Sequence, residues 1–443
     1  MSKQLFGTDG IRGVAGEFPL DERTVYAFGA ALGAWAATQE SPQVLIGMDT
    51  RESGPWLTEA VAAGLNATGA RPSFAGLITT PGVAWVTRHG PFSAGVMISA
   101  SHNPFHDNGL KVFGHNGYKL PDSEEHRIET EIFQLLETDL KPKRLSVPVD
   151  EHLDSEYLDY LAASCEHTLD GLPVTVDCAN GAASHLAPAL FERLGASVNA
   201  IGCTPDGRNI NRDCGSLHLD GLRNAAAERG AVGVAFDGDA DRALFVAQSG
   251  KIIDGDHVLL AAGTHLQSKG RLKQDTVVAT VMSNLGLERA LAARGIRLLR
   301  TSVGDKYVLE EMVARGAVLG GEQSGHVIFL EHATTGDGLL TGLQVLGIMA
   351  ATGLSLEALT EDLVIYPQRL VNVRVKNKRP LAELAQVNQA IRETEALFGD
   401  SGRVLVRFSG TEPLARVMVE GPDMALVEAH AKRIASAIEA ELA

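Results

Sequence analysis

The sequence is short of cysteine, and the few cysteines present are not spaced as pairs. Cys165, Cys178, Cys203 and Cys214 include no CxxC motif. In a chain with no export signal, such a pattern does not support a disulfide framework. We therefore expect four free thiols.

Long apolar runs and an excess of basic charge are also missing. No run reaches the length of a transmembrane helix, and the segment from Met1 to Gly13 has no apolar signal core. The 39 lysines and arginines are outnumbered by 55 aspartates and glutamates, so the net charge is -16 and the pI is about 5.3. This balance argues against a nucleic-acid partner. We predict a cytoplasmic protein with no membrane partner, in which an anionic substrate needs a local basic pocket.

Apolar residues and glycine are abundant. The chain is 45% hydrophobic and contains 47 glycines, which suits large cores and many tight turns between strands and helices. At 443 residues it should form three or four domains.

Three segments repeat one order of secondary structure. Apolar strands begin near residues 44, 174 and 276, and each is followed by a helix, a strand, a second helix and a third strand. This order predicts right-handed crossovers and mainly parallel sheets. Near residue 366 the pattern changes to that of a small α+β domain. We predict an α/β protein with three similar domains of mixed or parallel sheet, at 1–148, 149–250 and 251–365, and a smaller C-terminal α+β domain at 366–443, round a central cleft.

A polar loop follows the third strand of each segment. These loops are Ser99 to Asn103, Asp237 to Arg242, and Gly320 to His326. Because ligands bind beyond the carboxyl ends of strands in open α/β sheets, we expect the three loops to face one cleft.

The second loop places three carboxylates, Asp237, Asp239 and Asp241, within five residues. A divalent cation with oxygen ligands relieves their repulsion. Gln248 at the twelfth position excludes an EF-hand, and Mg²⁺ is favoured because it takes a few carboxylates plus a phosphate oxygen. Arg242 can steady that phosphate. An acidic solvated turn is the alternative.

The first loop has the outline of a group-transfer site. Ser101 lies at a strand end beside His102, and Lys111 follows on the next apolar run. If desolvation near cations lowers its pKa, Lys111 can donate or accept a proton. A polar turn and a surface lysine on an edge strand are the alternatives.

Other polar groups suit a sugar phosphate. Glu322 and Ser324 can bind sugar hydroxyls or an amine, although a helix N-cap explains them equally well; His326 is expected to be structural. Near the start, Arg12 is the charged tip of the glycine-rich stretch LFGTDGIRG, either facing an anion or exposed on an ordinary turn. Near the C-terminus, guanidinium groups, hydroxyls and turn amides can together bind a phosphate. These residues are Arg407, Ser409, Gly410, Thr411 and Arg416. A plain hairpin turn is the alternative.

Taken together, these motifs resemble the α-D-phosphohexomutases. The whole chain carries them in the family's order: GTDGIRG, ISASHNP with Ser101, DNGLK with Lys111, DGDADR, GEQSGH and RFSGTEP. With Gln323 the chain resembles the members that act on glucosamine phosphates. Members that act on mannose and glucose phosphates typically have Met at this position. Lys306 stands where close members more often have Arg.

The resemblance implies a mutase with a covalent phosphate on Ser101 and one Mg²⁺ per active site. Asp237, Asp239, Asp241 and a phosphoserine oxygen would hold the ion. Glucosamine 6-phosphate would become glucosamine 1-phosphate through a 1,6-bisphosphate, feeding UDP-N-acetylglucosamine synthesis. The catalytic residues would be Ser101, His102, Lys111, Arg12 and Arg242. The substrate-binding residues would be Glu322, Ser324, Arg407, Ser409, Gly410, Thr411 and Arg416.

Three rival interpretations remain open at this point. One is phosphomannomutase/phosphoglucomutase activity. Another is a phosphatase with Asp237 as nucleophile, although that class usually has Thr or Val at the position of Asp241. The third is a non-catalytic sensor of sugar phosphates. A homodimer is left open, as is the origin of the first phosphate on Ser101.

Overall fold

The computed structural model describes residues 4–7, 9–409 and 413–442, and it divides into two compact units. The first unit comprises 1–282 and 296–360, and the second comprises 283–295 and 361–443. All four cysteines are free. In the part of the chain so described, no helix has both the length and the apolar character needed to span a bilayer.

The first sheet has five strands in the order β1-β5-β4-β2-β3. β2 is parallel to β3 and β4, whereas β5 is antiparallel to β4 and to β1. Its core is filled by apolar side chains of the helices and strands, among them Phe28, Leu32 and Ile46, which are fully buried. The elements are β1 (Ile11–Val14), α1 (Glu22–Ala36), β2 (Gln43–Met48), α2 (Gly54–Ala67), β3 (Arg71–Leu77), α3 (Thr80–His89), β4 (Ala94–Ile98), β5 (Asp107–Gly114) and α4 (Asp122–Leu136).

The second sheet has the order β10-β9-β8-β6-β7. β6 is parallel to β7 and β8, and β9 is antiparallel to β8 and β10. The elements are α5 (His152–Ser164), β6 (Pro173–Asp177), α6 (Leu186–Arg193), β7 (Ser197–Ile201), α7 (Asp220–Arg229), β8 (Val232–Phe236), β9 (Ala243–Val246) and β10 (Ile252–Ile253).

The third sheet has the order β12-β11-β13-β14. β11 is parallel to β12 and β13, and β14 is antiparallel to β13. The elements are α8 (Gly255–Ser268), β11 (Thr276–Thr280), α9 (Leu285–Ala292), β12 (Arg297–Thr301), α10 (Asp305–Arg315), β13 (Leu319–Gly321), β14 (Val327–Phe329), α11 (Gly338–Thr352) and α12 (Leu356–Leu359).

The repeated plan predicted from the sequence is confirmed, and it extends to a fourth strand. In each sheet the four strands of the repeat lie in the order fourth, third, first, second. The prediction of mixed or parallel sheets is confirmed: the first three strands of each repeat are parallel, and the fourth strands β5, β9 and β14 are antiparallel to their neighbours. Each follows the third strand with no helix between, so the chain returns in the opposite direction. The three polar loops are these returns.

The third strand of the last repeat extends into the predicted polar loop. β13 runs from Leu319 to Gly321, whereas the loop was predicted to begin at Gly320. A Cβ on Gly321 would lie 2.6 Å from the carbonyl oxygen of His326. The glycine therefore belongs to the strand because only a residue without a side chain allows this close approach to β14.

The C-terminal elements form an α+β domain, as predicted. Its antiparallel sheet has the order β15-β17-β16, and Val417, Val427 and Ile434 are fully buried in its core. The first helix of this domain starts at Ala385, because extended Leu384 separates it from a preceding 3₁₀ turn. The elements are β15 (Gln368–Arg374), α13 (Ala385–Phe398), β16 (Arg403–Phe408), β17 (Leu414–Glu420) and α14 (Met424–Leu442). The domain boundaries at residues 148, 250 and 365 remain predictions.

Candidate active site

Ser101 lies in the return from β4 to β5 and has a left-handed backbone, with φ of 53°. For a residue other than glycine this conformation costs about 1–3 kcal/mol. The backbone N of Ser101 donates to Ser99 Oγ at 2.9 Å, and Ser99 Oγ donates to Asp49 Oδ2 at 2.7 Å. The Ser101 hydroxyl donates to Asp237 Oδ2 at 2.6 Å. The first two polar loops therefore meet at this hydroxyl.

The aspartate trio lies in the return from β8 to β9. Asp237 and Asp239 are fully buried and Asp241 is 7% exposed. One ligand oxygen from each lies within 4.8 Å of the others. Thr80, in the first turn of α3, donates its hydroxyl to Asp239 Oδ2 at 2.5 Å. The loop is thus held between the first and second sheets.

The trio fits a divalent cation. The Oδ1 atoms of Asp239 and Asp241 are buried and accept no hydrogen bond. Burial and the two neighbouring carboxylates raise the pKa of Asp237 well above its usual value. Buried carboxylate oxygens that face one another without donors are the ligands a hard cation requires. Within 4–7, 9–409 and 413–442, no other group of three potential His, Cys, Asp or Glu ligands is so close.

Lys111 lies on β5 against the trio and is 1% exposed. Its Nζ donates to Asp239 Oδ2 at 2.8 Å and lies 3.1 Å from Asp9 and 3.6 Å from Asp241. Burial alone lowers the pKa of Lys111, but the three carboxylates outweigh it and raise the pKa above its usual value. The hypothesis of a lowered pKa is wrong because carboxylates, not cations, surround the ammonium group. The carboxylates therefore favour the charged form of Lys111 in this structure, and its catalytic role stays a prediction.

Replacing Lys111 with methionine is expected to destabilise the protein by about 3–5 kcal/mol, because it leaves buried carboxylates without their cation. Turnover should fall by at least about 100-fold, since a positive charge beside the transferring group is lost. Thermal unfolding and steady-state kinetics measure both effects. Lys119→Met is the matched control: Lys119 pairs with Asp9 and Asp305. An equal loss of turnover in both variants would contradict a specific role for Lys111.

His102, Arg242 and Arg12 lie near the same loops. His102 Nδ1 is 3.4 Å from Ser101 Oγ. Burial, and then Arg242 and Arg12, lower the pKa of His102 to about 4, so the ring is neutral at neutral pH. The backbone N of Arg242 donates to Asp237 Oδ1 at 3.2 Å.

Arg12 departs from its expected place at the tip of a loop. It lies within β1, opposite Gly109 of β5, and its guanidinium pairs with Asp9. Of the glycines that suggested a loop, Gly7 and Gly10 precede this short strand and Gly13 lies within it. β5 supplies the partner strand that the sequence did not reveal.

The third polar loop returns from β13 to β14. Glu322 Oε1 accepts from the backbone N of Gly304 at 3.1 Å, and Ser324 is exposed. His326 Nε2 accepts from the backbone N of Gly336 at 3.0 Å, and its Nδ1 lies 3.7 Å from Asp241 Oδ1. The histidine taken as structural therefore links this loop to the aspartate trio. Lys306, the residue that departs from the family pattern, pairs with Asp122 at 2.6 Å.

In the second unit, Arg407 of β16 and Arg416 of β17 are directly opposite each other in the sheet. Burial, and then Arg416, lower the pKa of Arg407. Like charges opposite each other are destabilising unless an anion lies between them. Lys378 Nζ donates to the carbonyl of Ser409 at 2.6 Å, which adds a third cation. Gly410 and Thr411 lie outside the described residues.

Several residues of the site escaped sequence analysis. Asp9 contacts Lys111 and Lys119, Thr80 holds Asp239, and Arg51 lies under the Ser101 loop. A lone charged or hydroxyl residue after a strand has many ordinary explanations. The turn Asp49-Thr50-Arg51, at the carboxyl end of the central strand β2, was the one available signal.

Comparison with known proteins identifies the family. Models described as phosphoglucomutase/phosphomannomutase match residues 3–139 (α/β/α domain I), 155–250 (domain II), 254–366 (domain III) and 370–437 (C-terminal domain). A phosphoglucosamine mutase of Solibacter usitatus is 61% identical over 444 residues, covering 100% of each chain. The chain belongs to the phosphoglucosamine mutase family. As a member it is an isomerase that acts as an intramolecular phosphotransferase.

Solved structures agree on the fold of this phosphoglucosamine mutase family member. A phosphoglucomutase/phosphomannomutase family protein from Burkholderia thailandensis has a TM-score of 0.82 at 24% identity, covering 98% of this chain and 97% of its own. The N-acetylphosphoglucosamine mutase of Aspergillus fumigatus, solved with GlcNAc-6P and magnesium, has a TM-score of 0.63 at 20% identity, covering 90% and 83%. In a phosphohexomutase, a buried aspartate trio is consistent with a metal site.

Proposed function

We propose that this chain interconverts glucosamine 6-phosphate and glucosamine 1-phosphate through a phosphorylated Ser101. One observation carries the proposal: the Ser101 hydroxyl lies 2.6 Å from Asp237 Oδ2, at the edge of a buried trio suited to a cation. The 61% identity to a phosphoglucosamine mutase supports the choice of sugar.

The reaction needs two phosphoryl transfers that conserve every atom. The P–O bond to Ser101 Oγ breaks as a bond to the sugar hydroxyl forms, which gives a 1,6-bisphosphate and a free serine. The proton of that sugar hydroxyl ends on Ser101 Oγ, which the phosphoryl group has left. The intermediate then turns over, and its other phosphoryl group passes to Ser101 Oγ as its P–O bond to the sugar breaks. The proton of Ser101 Oγ goes to the sugar oxygen freed by that step, which gives the isomerised monophosphate and restores the phosphorylated serine.

Asp237, Asp239, Asp241 and a phosphoserine oxygen would hold Mg²⁺, which supplies charge neutralisation for the phosphoryl oxygens. Lys111 contributes a fixed positive charge beside the transferring group. His102, held neutral, can accept a hydrogen bond from Ser101 or from the substrate hydroxyl. Arg12 and Arg242 place further positive charge near the Ser101 and aspartate loops.

We further propose roles for the remaining predicted residues. Glu322 and Ser324 bind the sugar in both orientations, which a small polar patch can do. Arg407, Ser409, Gly410, Thr411 and Arg416 bind the phosphate that does not react. Two opposed guanidinium groups match its dianion. The proposed setting is the cytoplasm, where the product would feed UDP-N-acetylglucosamine synthesis; a homodimer stays a prediction.

The test is a comparison of turnover with the 6-phosphates of glucosamine, mannose and glucose at equal Mg²⁺. We expect kcat/KM for glucosamine 6-phosphate to exceed the others by at least about 10-fold, the scale on which a changed polar contact discriminates. Intact mass with peptide mapping of fresh protein should place one phosphoryl group on Ser101. A clear preference for mannose 6-phosphate would replace the proposal with phosphomannomutase activity, and phosphate trapped on Asp237 would indicate a phosphatase.

A further inference from the structure

The guanidinium of Arg51 lies beneath the Ser101 loop and is almost completely buried. Arg51 is 1% exposed and follows β2 in the first sheet. Its Nε donates to Asp49 Oδ2 at 2.9 Å, and its backbone N donates to Asp49 Oδ1 at 3.0 Å. The carboxylate of Asp49 pairs with the positive charge of the guanidinium and fixes its direction.

The two terminal nitrogens of Arg51 both donate hydrogen bonds to the backbone around Ser101. One donates to the carbonyls of Ser101 at 2.9 Å and Asn103 at 2.8 Å. The other donates to the carbonyls of Asp107, at 3.0 Å, and Pro104. A single side chain thereby holds four carbonyls between β4 and β5, which only a planar fork with five donors can do.

The carbonyl of Ser101 also accepts a hydrogen bond from the segment between β7 and α7. Asn211 Nδ2 donates to it at 2.9 Å and to the carbonyl of Asn103 at 3.2 Å. A Cβ on Gly238, within the aspartate loop, would lie 2.5 Å from the same oxygen. Any shift of this carbonyl therefore displaces Ser101 relative to Asp237 and Asp239.

We propose that Arg51 is a positioning residue for phosphoryl transfer. It fixes the peptide of Ser101 in its left-handed conformation, so that Oγ points at the aspartate trio, and Asn211 assists from the segment between β7 and α7. This inference rests on the proposed role of Ser101. Asp49 and the four carbonyls occupy all three guanidinium nitrogens, so Arg51 acts through the backbone of the loop.

The first test is Arg51→Lys. Lysine keeps the charge opposite Asp49 but cannot reach four carbonyls in a plane. We expect kcat to fall by about 100-fold, the effect of misplacing a reacting group by about 1 Å. KM should stay within about threefold, because no substrate contact is removed. The rate at which Ser101 loses phosphate to water or to the sugar, followed by intact mass, should fall in parallel.

A matched control distinguishes the positioning role of Arg51 from a purely structural one. Leu32→Ala removes a fully buried side chain near the C-terminal end of α1, which precedes β2. β2 starts there and is parallel to β4, and the Ser101 loop follows the opposite end of β4. It should lower the unfolding temperature at least as much as Arg51→Lys while leaving kcat and phosphoserine turnover unchanged. If both variants lose activity in proportion to stability, the positioning role is wrong.

A second variant covers the case in which Arg51→Lys does not fold. Asn211→Gly keeps a residue suited to the φ of 58° at this position and removes the side chain that carries the amide donor. We expect a fall in kcat of about 10-fold at nearly constant KM. If Asn211→Gly keeps the kcat of the wild type, and the wild type is active on glucosamine 6-phosphate, the inference about the Ser101 loop is overturned and the proposed function stands. Inactive but folded and phosphorylated wild-type enzyme would instead overturn the proposed function.

Discussion

Ser101→Ala is expected to lower turnover of glucosamine 6-phosphate by at least about 10⁴-fold, the scale seen when a covalent nucleophile is removed. The variant has no Oγ to carry the phosphoryl group, so neither half of the exchange can proceed. Its free energy of unfolding should fall by only about 1–3 kcal/mol, because the one close hydrogen bond lost is that to buried Asp237, at 2.6 Å. Steady-state kinetics, thermal unfolding and intact mass measure the three quantities.

Ser99→Ala is the matched control for this variant. Ser99 lies on the same loop, donates to Asp49 and accepts from the backbone N of Ser101. Its loss should loosen the loop and reduce turnover by about 10-fold, yet leave the phosphate on Ser101. A sensor of sugar phosphates would behave differently: Ser101→Ala would then bind its ligand normally and lose no function.

Asp239→Asn is expected to lower turnover by about 10³-fold at any accessible Mg²⁺ concentration. A bound cation contributes several kcal/mol of charge stabilisation in phosphoryl transfer, and about 4 kcal/mol corresponds to 10³-fold. The amide keeps an acceptor for Lys111 and Thr80, which contact Oδ2 of Asp239 in the wild type. Activity measured as a function of Mg²⁺ concentration gives the comparison, and chelator should produce a similar loss in the wild type.

Thermal shift provides a reading of the metal that is independent of turnover. Mg²⁺ at 100 times its Kd should stabilise the wild type by about 2.7 kcal/mol, and Asp239→Asn should show little of this stabilisation. Asp21→Asn, at the N-cap of α1, makes the same chemical change at a helix cap, where asparagine is an equally good residue. Retention of the full Mg²⁺ shift in Asp239→Asn would exclude this aspartate as a ligand.

Much of the site was visible in the sequence because chemistry-bearing residues follow strands. The Ser101, Asp237–Asp241 and 320–326 loops were placed correctly because short apolar runs end before them and ligands collect at such ends. Lys111 was found by its motif, but its protonation was misjudged. Its pKa depends on Asp9, Asp239 and Asp241, and the first and third of these are 102 and 130 residues away along the chain.

The sequence by itself determined the order of strands and helices, the repeat of one unit, and the residue types at the ends of its strands, because these depend on local apolar patterns and turn residues. Only the tertiary structure decided that the fourth strands are antiparallel, that Arg51 and Asn211 hold the Ser101 loop, and that three carboxylates enclose Lys111. Such features depend on partners from other strands and sheets. Because these partners are far apart along the chain, no local sequence pattern reveals them. A side chain's charge and strain are set by those partners.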